Sequence, residues 1–223
     1  MKRPALAPMM LIALGACEAP LSTLDPASRT ASEIAGLWWA MLITACLLLS
    51  LVMALALHAL RGRRRQSPVS TRTFLIGGGL AMPAFVLLAA LVAGLVIGER
   101  ALPHDAPDIF EVEATASQWQ WQFRYGDGSV SENVLYIPAR RPVNVIVRSQ
   151  DVIHSFWVPR LAGKIDAIPG QTNVIRLRAD RAGRFAGACA EFCGTGHADM
   201  LFEAVALEDE ALREALGSLE TAP

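Results

Sequence analysis

From Ile34 to Leu60, and again from Phe74 to Gly98, the sequence carries no Asp, Glu, Lys or Arg. Each run is longer than the ~20 residues an α-helix needs to cross the hydrocarbon core of a bilayer. With 53% hydrophobic and only 18% charged residues among 223, the chain is too apolar for an ordinary soluble domain. The two runs predict a transmembrane helical hairpin over residues 34–98. Trp38 and Trp39 stand where the first run begins, and aromatic rings favour the membrane–water interface. Cys46, mid-run among leucines, reads as a small buried hydrophobe. Gly77-Gly78-Gly79 and Pro83 in the second run are tolerated where neighbouring helices pack closely and satisfy the freed carbonyl. Arg61, Arg63, Arg64, Arg65 and Arg72 fall between the runs, and positive residues beside a span are kept on the cytoplasmic side. That places the N-terminus and everything after the second run on the outer side of a bacterial inner membrane.

The start of the chain reads as an export signal over residues 1–17. Lys2 and Arg3 precede an apolar stretch from Ala5 to Leu14, and Leu14-Gly15-Ala16-Cys17 resembles a bacterial lipobox, with Cys17 the residue to be lipidated. The four cysteines, at positions 17, 46, 189 and 193, are too few for a disulfide scaffold.

Residues 105–223 change character. Phe110 to Ala116 and Trp119 to Tyr125 alternate apolar and polar residues, the period of a strand with one buried face. Trp119 and Trp121 would share that face. Further strand-like runs lie at 133–137, 143–148, 152–158, 172–178, 185–189 and 201–207, punctuated by Gly and Pro, and a charged amphipathic stretch over 208–219 predicts a terminal helix. This pattern predicts an all-β sandwich or barrel. Charge divides the same way. Residues 1–98 hold 8 basic against 3 acidic residues, a balance of +5, and residues 99–223 hold 12 against 18, a balance of −6. An acidic outer half gives no footprint for nucleic acid and suits a basic protein partner, since opposite fields steer encounters.

The chemistry concentrates between Cys189 and Met200, where two thiols, an imidazole (His197) and a thioether occur in Cys189-Ala190-Glu191-Phe192-Cys193-Gly194-Thr195-Gly196-His197-Ala198-Asp199-Met200. A second imidazole, His154, lies 35 residues before Cys189. Soft thiolate and thioether donors combined with imidazoles favour copper; a mononuclear blue-copper site needs one Cys, two His and a weak Met, and here a further Cys stands on the same loop. Two thiolates can each bridge two ions. Zinc could take Cys189, Cys193, His154 and His197, but it has no use for Met200. A Cys189–Cys193 disulfide would leave the histidines and the methionine unexplained, and a catalytic Cys–His pair would need only one thiol.

Cys-Ala-Glu-Phe-Cys-Gly with His197 and Met200, and His154 in Asp151-Val152-Ile153-His154-Ser155-Phe156-Trp157, resemble the copper A signature of cytochrome c oxidase subunit II. Lys164-Ile165-Asp166-Ala167-Ile168-Pro169-Gly170 and Gln118-Trp119-Gln120-Trp121 resemble the same family, and the similarity runs over roughly residues 20–207. The resemblance implies a two-helix transmembrane hairpin carrying a cupredoxin-like Greek-key sandwich. It implies a dinuclear copper A centre bridged by Cys189 and Cys193, with His154, His197, Met200 and the carbonyl of Glu191 as terminal ligands. It implies Mg2+ at a boundary with subunit I through the Glu191 carboxylate, and Trp119 as the group that receives electrons from cytochrome c. The implied partners are subunit I, further oxidase subunits, cytochrome c and the lipid bilayer. Asp127, Glu132 and Asp151 are then candidates for docking cytochrome c.

Some positions depart from the family pattern. Thr73 to Pro83 contains no acid where many relatives carry a glutamate, Phe123 stands where tyrosine is frequent, and no Cys-x-x-Cys-His appears for a fused haem c domain. The rivals fit less well. A quinol oxidase subunit normally lacks these cysteines and histidines, a nitrous-oxide-reducing enzyme needs a large additional domain, and a tethered copper carrier would not hold a mixed-valence pair.

Overall fold

The computed structural model describes residues 19–61, 70–103 and 109–221. Cys17, with the rest of the expected signal segment, and Arg63 to Arg65 lie outside them. The described chain forms two compact units. One is Glu33–Arg100; the other takes the described residues up to Ser32 together with those from Ala101 onward.

The first unit is a helical hairpin. Helix α1 covers Arg29–Arg61 and helix α2 covers Thr71–Ala101, and both are long and apolar enough to cross a membrane. The two helices run antiparallel, so that Arg100 at the end of α2 pairs with Glu33 near the start of α1 at 3.7 Å. Small side chains, among them Ala40 and Ala45 of α1 and Ala89, Ala90 and Ala93 of α2, line an apolar groove between them. Within α2 the stretch Phe74–Ala81 is wound as a π-helix, with the N–H of Met82 bonded to the carbonyl of Gly77, five residues back. The three glycines present no side chains to hold the tighter winding, and Pro83, which lacks an N–H, stands two residues beyond the end of the π-helix.

The second unit is a β-sandwich. Its strands are β1 (Phe110–Ser117), β2 (Gln120–Tyr125), β3 (Ser129–Glu132), β4 (Val134–Pro138), β5 (Pro142–Ser149), β6 (His154–Trp157), β7 (Lys164–Ala167), β8 (Asn173–Arg178), β9 (Gly183–Cys189), β10 (Leu201–Leu207) and β11 (Glu220–Thr221), with helix α3 (Asp209–Gly217) near the end. One sheet has the order β11-β3-β2-β1-β5-β8 and the other β4-β10-β9-β6-β7. Most neighbours are antiparallel, but β1–β5 and β4–β10 run parallel. Strand β1 alternates in burial along its length, with Val112, Ala114 and Ala116 facing inward. Between the sheets, Trp121, Phe123, Phe156 and Phe202 form an aromatic cluster with ring centroids 4.9–6.4 Å apart. Phe123 is completely buried there, where a tyrosine would need a partner for its hydroxyl.

Three strands escaped the sequence pattern, one of them β11, whose two residues are too few to show a period. In β3 the inward residues are Ser129 and Ser131, so no apolar alternation marks it. Strand β7 is the edge of its sheet, and its Lys164 and Asp166 suit an edge where charge discourages further pairing.

The residues before α1 also belong to the β unit. Arg160 donates to the carbonyl of Asp25 at 2.8 Å and pairs with its carboxylate at 2.7 Å. The Ala27 N–H reaches the Arg160 carbonyl at 2.8 Å, and the Asp180 N–H reaches the Ala27 carbonyl at 3.0 Å. Ser28 is buried; its hydroxyl donates to the Leu161 carbonyl and accepts from the Ala31 N–H, capping α1.

Candidate metal centre

Three chain segments converge at one end of the sandwich. His154 is the first residue of β6, Cys189 is the last of β9, and Met200 immediately precedes β10. Pairing of β6 with β9 and of β9 with β10 brings these ends together. The connecting loop is closed by the Cys189 N–H on the Met200 carbonyl at 3.0 Å, and by a single helical turn, His197–Asp199. Gly194, at φ +126°, takes a backbone conformation that side-chain-bearing residues rarely adopt and turns the chain between Cys193 and His197.

The donor atoms meet inside this loop. His154, Cys189 and Cys193 present ligand atoms all within 4.8 Å of one another. Cys189 Sγ lies 3.8 Å from Cys193 Sγ, 3.8 Å from His154 Nδ1 and 3.2 Å from the Glu191 carbonyl. Cys193 Sγ lies 3.6 Å from His197 Nδ1 and 3.7 Å from Met200 Sδ. Donors bound 2.0–2.3 Å from one ion in tetrahedral geometry are about 3.3–3.8 Å apart. The spacing is therefore that of a ligand cage. It falls into two overlapping halves, one built on Cys189, His154 and the Glu191 carbonyl, the other on Cys193, His197 and Met200. Six donors with three sulfurs exceed what a single tetrahedral ion uses and suit a pair of copper ions.

The surroundings hold the donors in place. His154 is fully buried, and its Nε2 hydrogen-bonds Asp151 Oδ1 at 2.8 Å. An ionised carboxylate only accepts, so Nε2 carries the proton and Nδ1 turns its lone pair toward the thiols. Burial alone would raise the Asp151 carboxyl, but hydrogen bonds from His154 and from the N–H groups of Val152 and Gln118 outweigh it and hold the group below the usual carboxylate range. Burial, then hydrogen bonding with Cys189, pushes the Cys193 thiol up to about 11. Without a metal this thiol keeps its proton at neutral pH, so a bound cation is what would make it a thiolate.

Trp119 and Trp121 do not share a face. Ser117 pairs with Gln120, which leaves Gln118 and Trp119 as the two-residue loop of a hairpin. Trp121 is fully buried, 6.3 Å from the His154 ring, and its Nε1 has no hydrogen-bond partner among the described residues. Trp119 is 42% exposed, and its indole lies against the loop of the cage. A Cβ on Gly196 would come within 2.5 Å of this ring, and one on Gly194 within 3.3 Å. The Gly-x-Gly between Cys193 and His197 was the available signal for this contact.

Glu191 turns its carbonyl toward Cys189 and its carboxylate outward, 3.6 Å from Lys164 Nζ, which also bonds Asp166 at 2.8 Å. Of the candidate docking acids, Asp127 is bonded by the N–H and hydroxyl of Ser129, Asp151 is engaged as above, and Glu132 is exposed.

The periplasmic-domain model of cytochrome c oxidase subunit II matches residues 129–206. A cytochrome c oxidase subunit 2 from Branchiostoma lanceolatum is 31% identical over 169 residues, covering 62% of this chain and 70% of that protein. The chain belongs to the cytochrome c oxidase subunit II family. The subunit 2 of Alkalihalophilus pseudofirmus is 39% identical over 130 residues, and the chain spans only 38% of its length. Among solved structures, the periplasmic domain of subunit II from Bradyrhizobium japonicum matches with 29% identity and a TM-score of 0.50, over 53% of this chain and 96% of that domain. The membership accounts for the combination seen here, a cupredoxin-like sandwich together with a pair of apolar helices.

Proposed function

We propose that this chain is the electron-accepting subunit of a haem–copper oxidase. It takes single electrons from cytochrome c and passes them to the haem and copper centres of subunit I, where oxygen is reduced and protons are translocated. The observation that carries the proposal is the two-halved cage of six donors, with an exposed indole lying against its loop. Cys189, Cys193, His154, His197, Met200 and the Glu191 carbonyl would hold the metal pair. Copper held there supplies a one-electron store shared over two ions.

The chain's own groups do the rest. The paired β-strand ends fix the donors before the metal arrives, so that little rearrangement accompanies a change of charge. Burial of His154, Cys189, Cys193 and Met200 keeps water out. Trp119 offers a polarisable surface ring to the donor protein, and the net charge of −6 from residue 99 onward attracts a basic one. The Glu191 carboxylate would give one oxygen to Mg2+, whose remaining ligands must come from water and from subunit I. The arginines between the helices would hold that connection in the cytoplasm, leaving the sandwich and the N-terminus, lipidated at Cys17, in the periplasm. Residues 1–17, 34–98 and 105–223 would then act as export signal, anchor and redox domain.

Metal analysis of the full chain, purified in detergent after growth with copper, tests the ligand set. A pair of copper ions per chain is expected, with loss of the pair in Cys193→Ser. A single ion, or zinc taken in preference to copper, would overturn the proposal.

A further inference from the structure

The loop that carries Trp119 is tied to both halves of the donor cage. The N–H of Gln118 donates to Asp151 Oδ2 at 2.7 Å, while Oδ1 of the same carboxylate takes His154 Nε2 at 2.8 Å. In the other direction, the Gln118 side chain donates from Nε2 to the Cys193 carbonyl at 2.8 Å. Asp151 is itself braced by the Val152 N–H on Oδ1 at 2.6 Å. Trp119 is 42% exposed, so burial alone does not fix its indole, and a two-residue loop has no ladder bonds of its own.

We propose that Gln118 and Asp151 form a hydrogen-bonded bracket that sets the Trp119 indole at a fixed distance from His154 and Cys193, making both of them positioning residues for electron transfer. The inference rests on the electron-accepting role proposed above. Both ties are of hydrogen-bonding length, and the one to Asp151 is charge-assisted, the stronger kind. They also make a continuous route. One peptide bond leads from Trp119 to Gln118, and one N–H···O bond leads from Gln118 to the backbone of a metal-binding cysteine. The step moves one electron, oxidising the donor cytochrome and reducing the site, and no bond in the bracket forms or breaks.

Two variants cut the bracket at different places. Gln118→Leu removes the side-chain donor. Asp151→Asn leaves one acceptor oxygen where the carboxylate used two, so either the His154 bond or the Gln118 bond is lost. The full chain in detergent, loaded with copper, is mixed with a reduced soluble cytochrome c in a stopped-flow instrument. Each variant is expected to lower the saturating reduction rate by about tenfold, as small misplacements of reacting groups do, with the half-saturating cytochrome concentration unchanged. Hydrogen exchange of the segment 117–121 in the metal-free chain is expected to quicken in Asp151→Asn. This second measurement does not depend on the metal, and it reports the bracket even if one variant loads poorly.

An unaltered saturating rate in both variants overturns the inference, whether or not their thermal midpoints fall. So does a rise in half-saturating concentration alone, which would mark Gln118 and Asp151 as contacts for the cytochrome, and so does unchanged exchange in Asp151→Asn. Failure of cytochrome c to reduce the wild-type chain overturns the electron-accepting role and the inference together. A wild type that is reduced, with variants reduced equally fast, overturns the inference alone.

Discussion

Tyr125 shows how much a single buried group contributes. Its hydroxyl accepts the Tyr136 N–H at 2.8 Å and lies 3.1 Å from the Ser131 hydroxyl, and burial pushes its ionisation up to about 12. Tyr125→Phe strands a backbone donor, which should cost about 1–3 kcal/mol, read as a lower thermal midpoint. The pH dependence follows from the raised value. The folded state holds this proton more tightly than the unfolded chain, so the stability is intact below the ordinary value of 10.0 and is lost as pH rises toward about 12. Alkaline destabilisation over that window should therefore shrink in Tyr125→Phe; an unchanged alkaline limb would remove Tyr125 from the explanation. At the cage, Gly196→Val should displace the Trp119 ring and slow reduction by cytochrome c while copper content holds. The cysteines, His197 and Met200 were legible in the sequence because they share one short loop, and His154 because its flanking residues match the same family. Asp151 and Gln118 were not legible as partners. They lie 33 residues apart, and nothing in the period of either segment joins them.

Among the elements, both membrane helices followed from the length of their charge-free apolar runs, and most strands from hydrophobic period, because each strand has a face that must leave water. Strands β3, β7 and β11 did not, since the first turns serines inward, the second is a charged edge and the third is only two residues long. The segment before α1 was equally silent, because its attachment runs through backbone carbonyls and the Arg160 guanidinium rather than through an apolar stripe. Arg160 pairs with Asp25 and also lies 5.5 Å over the Phe185 ring. Arg160→Ala should therefore loosen this strap and lower stability by about 1–3 kcal/mol, measured as the thermal midpoint of the full chain in detergent. A change within experimental error would mean that the strap adds nothing to the sandwich.

For the whole molecule, the two-part character was written in composition, two charge-free apolar runs for lipid and an acidic half for water. Glu132 and Asp151 are both exposed, but Asp151 is engaged with His154 and Gln118, so Glu132 is the better probe of docking by charge. Glu132→Lys should slow association with a basic cytochrome c at low salt, and the difference should fade as the Debye length shortens from about 30 Å at 0.01 M to about 8 Å at 0.15 M. Metal loading should also depend on acidity. The Cys193 thiol, raised to about 11, must lose its proton to bind, so copper affinity should fall as pH falls, as a metal titration at several pH values would show. The central claim is that the paired cysteines hold two coppers as one redox unit. Electron paramagnetic resonance of the copper-loaded full chain tests it most directly. A hyperfine pattern from one unpaired electron shared equally by two copper nuclei is the expected result, and the spectrum of an isolated mononuclear copper would contradict it.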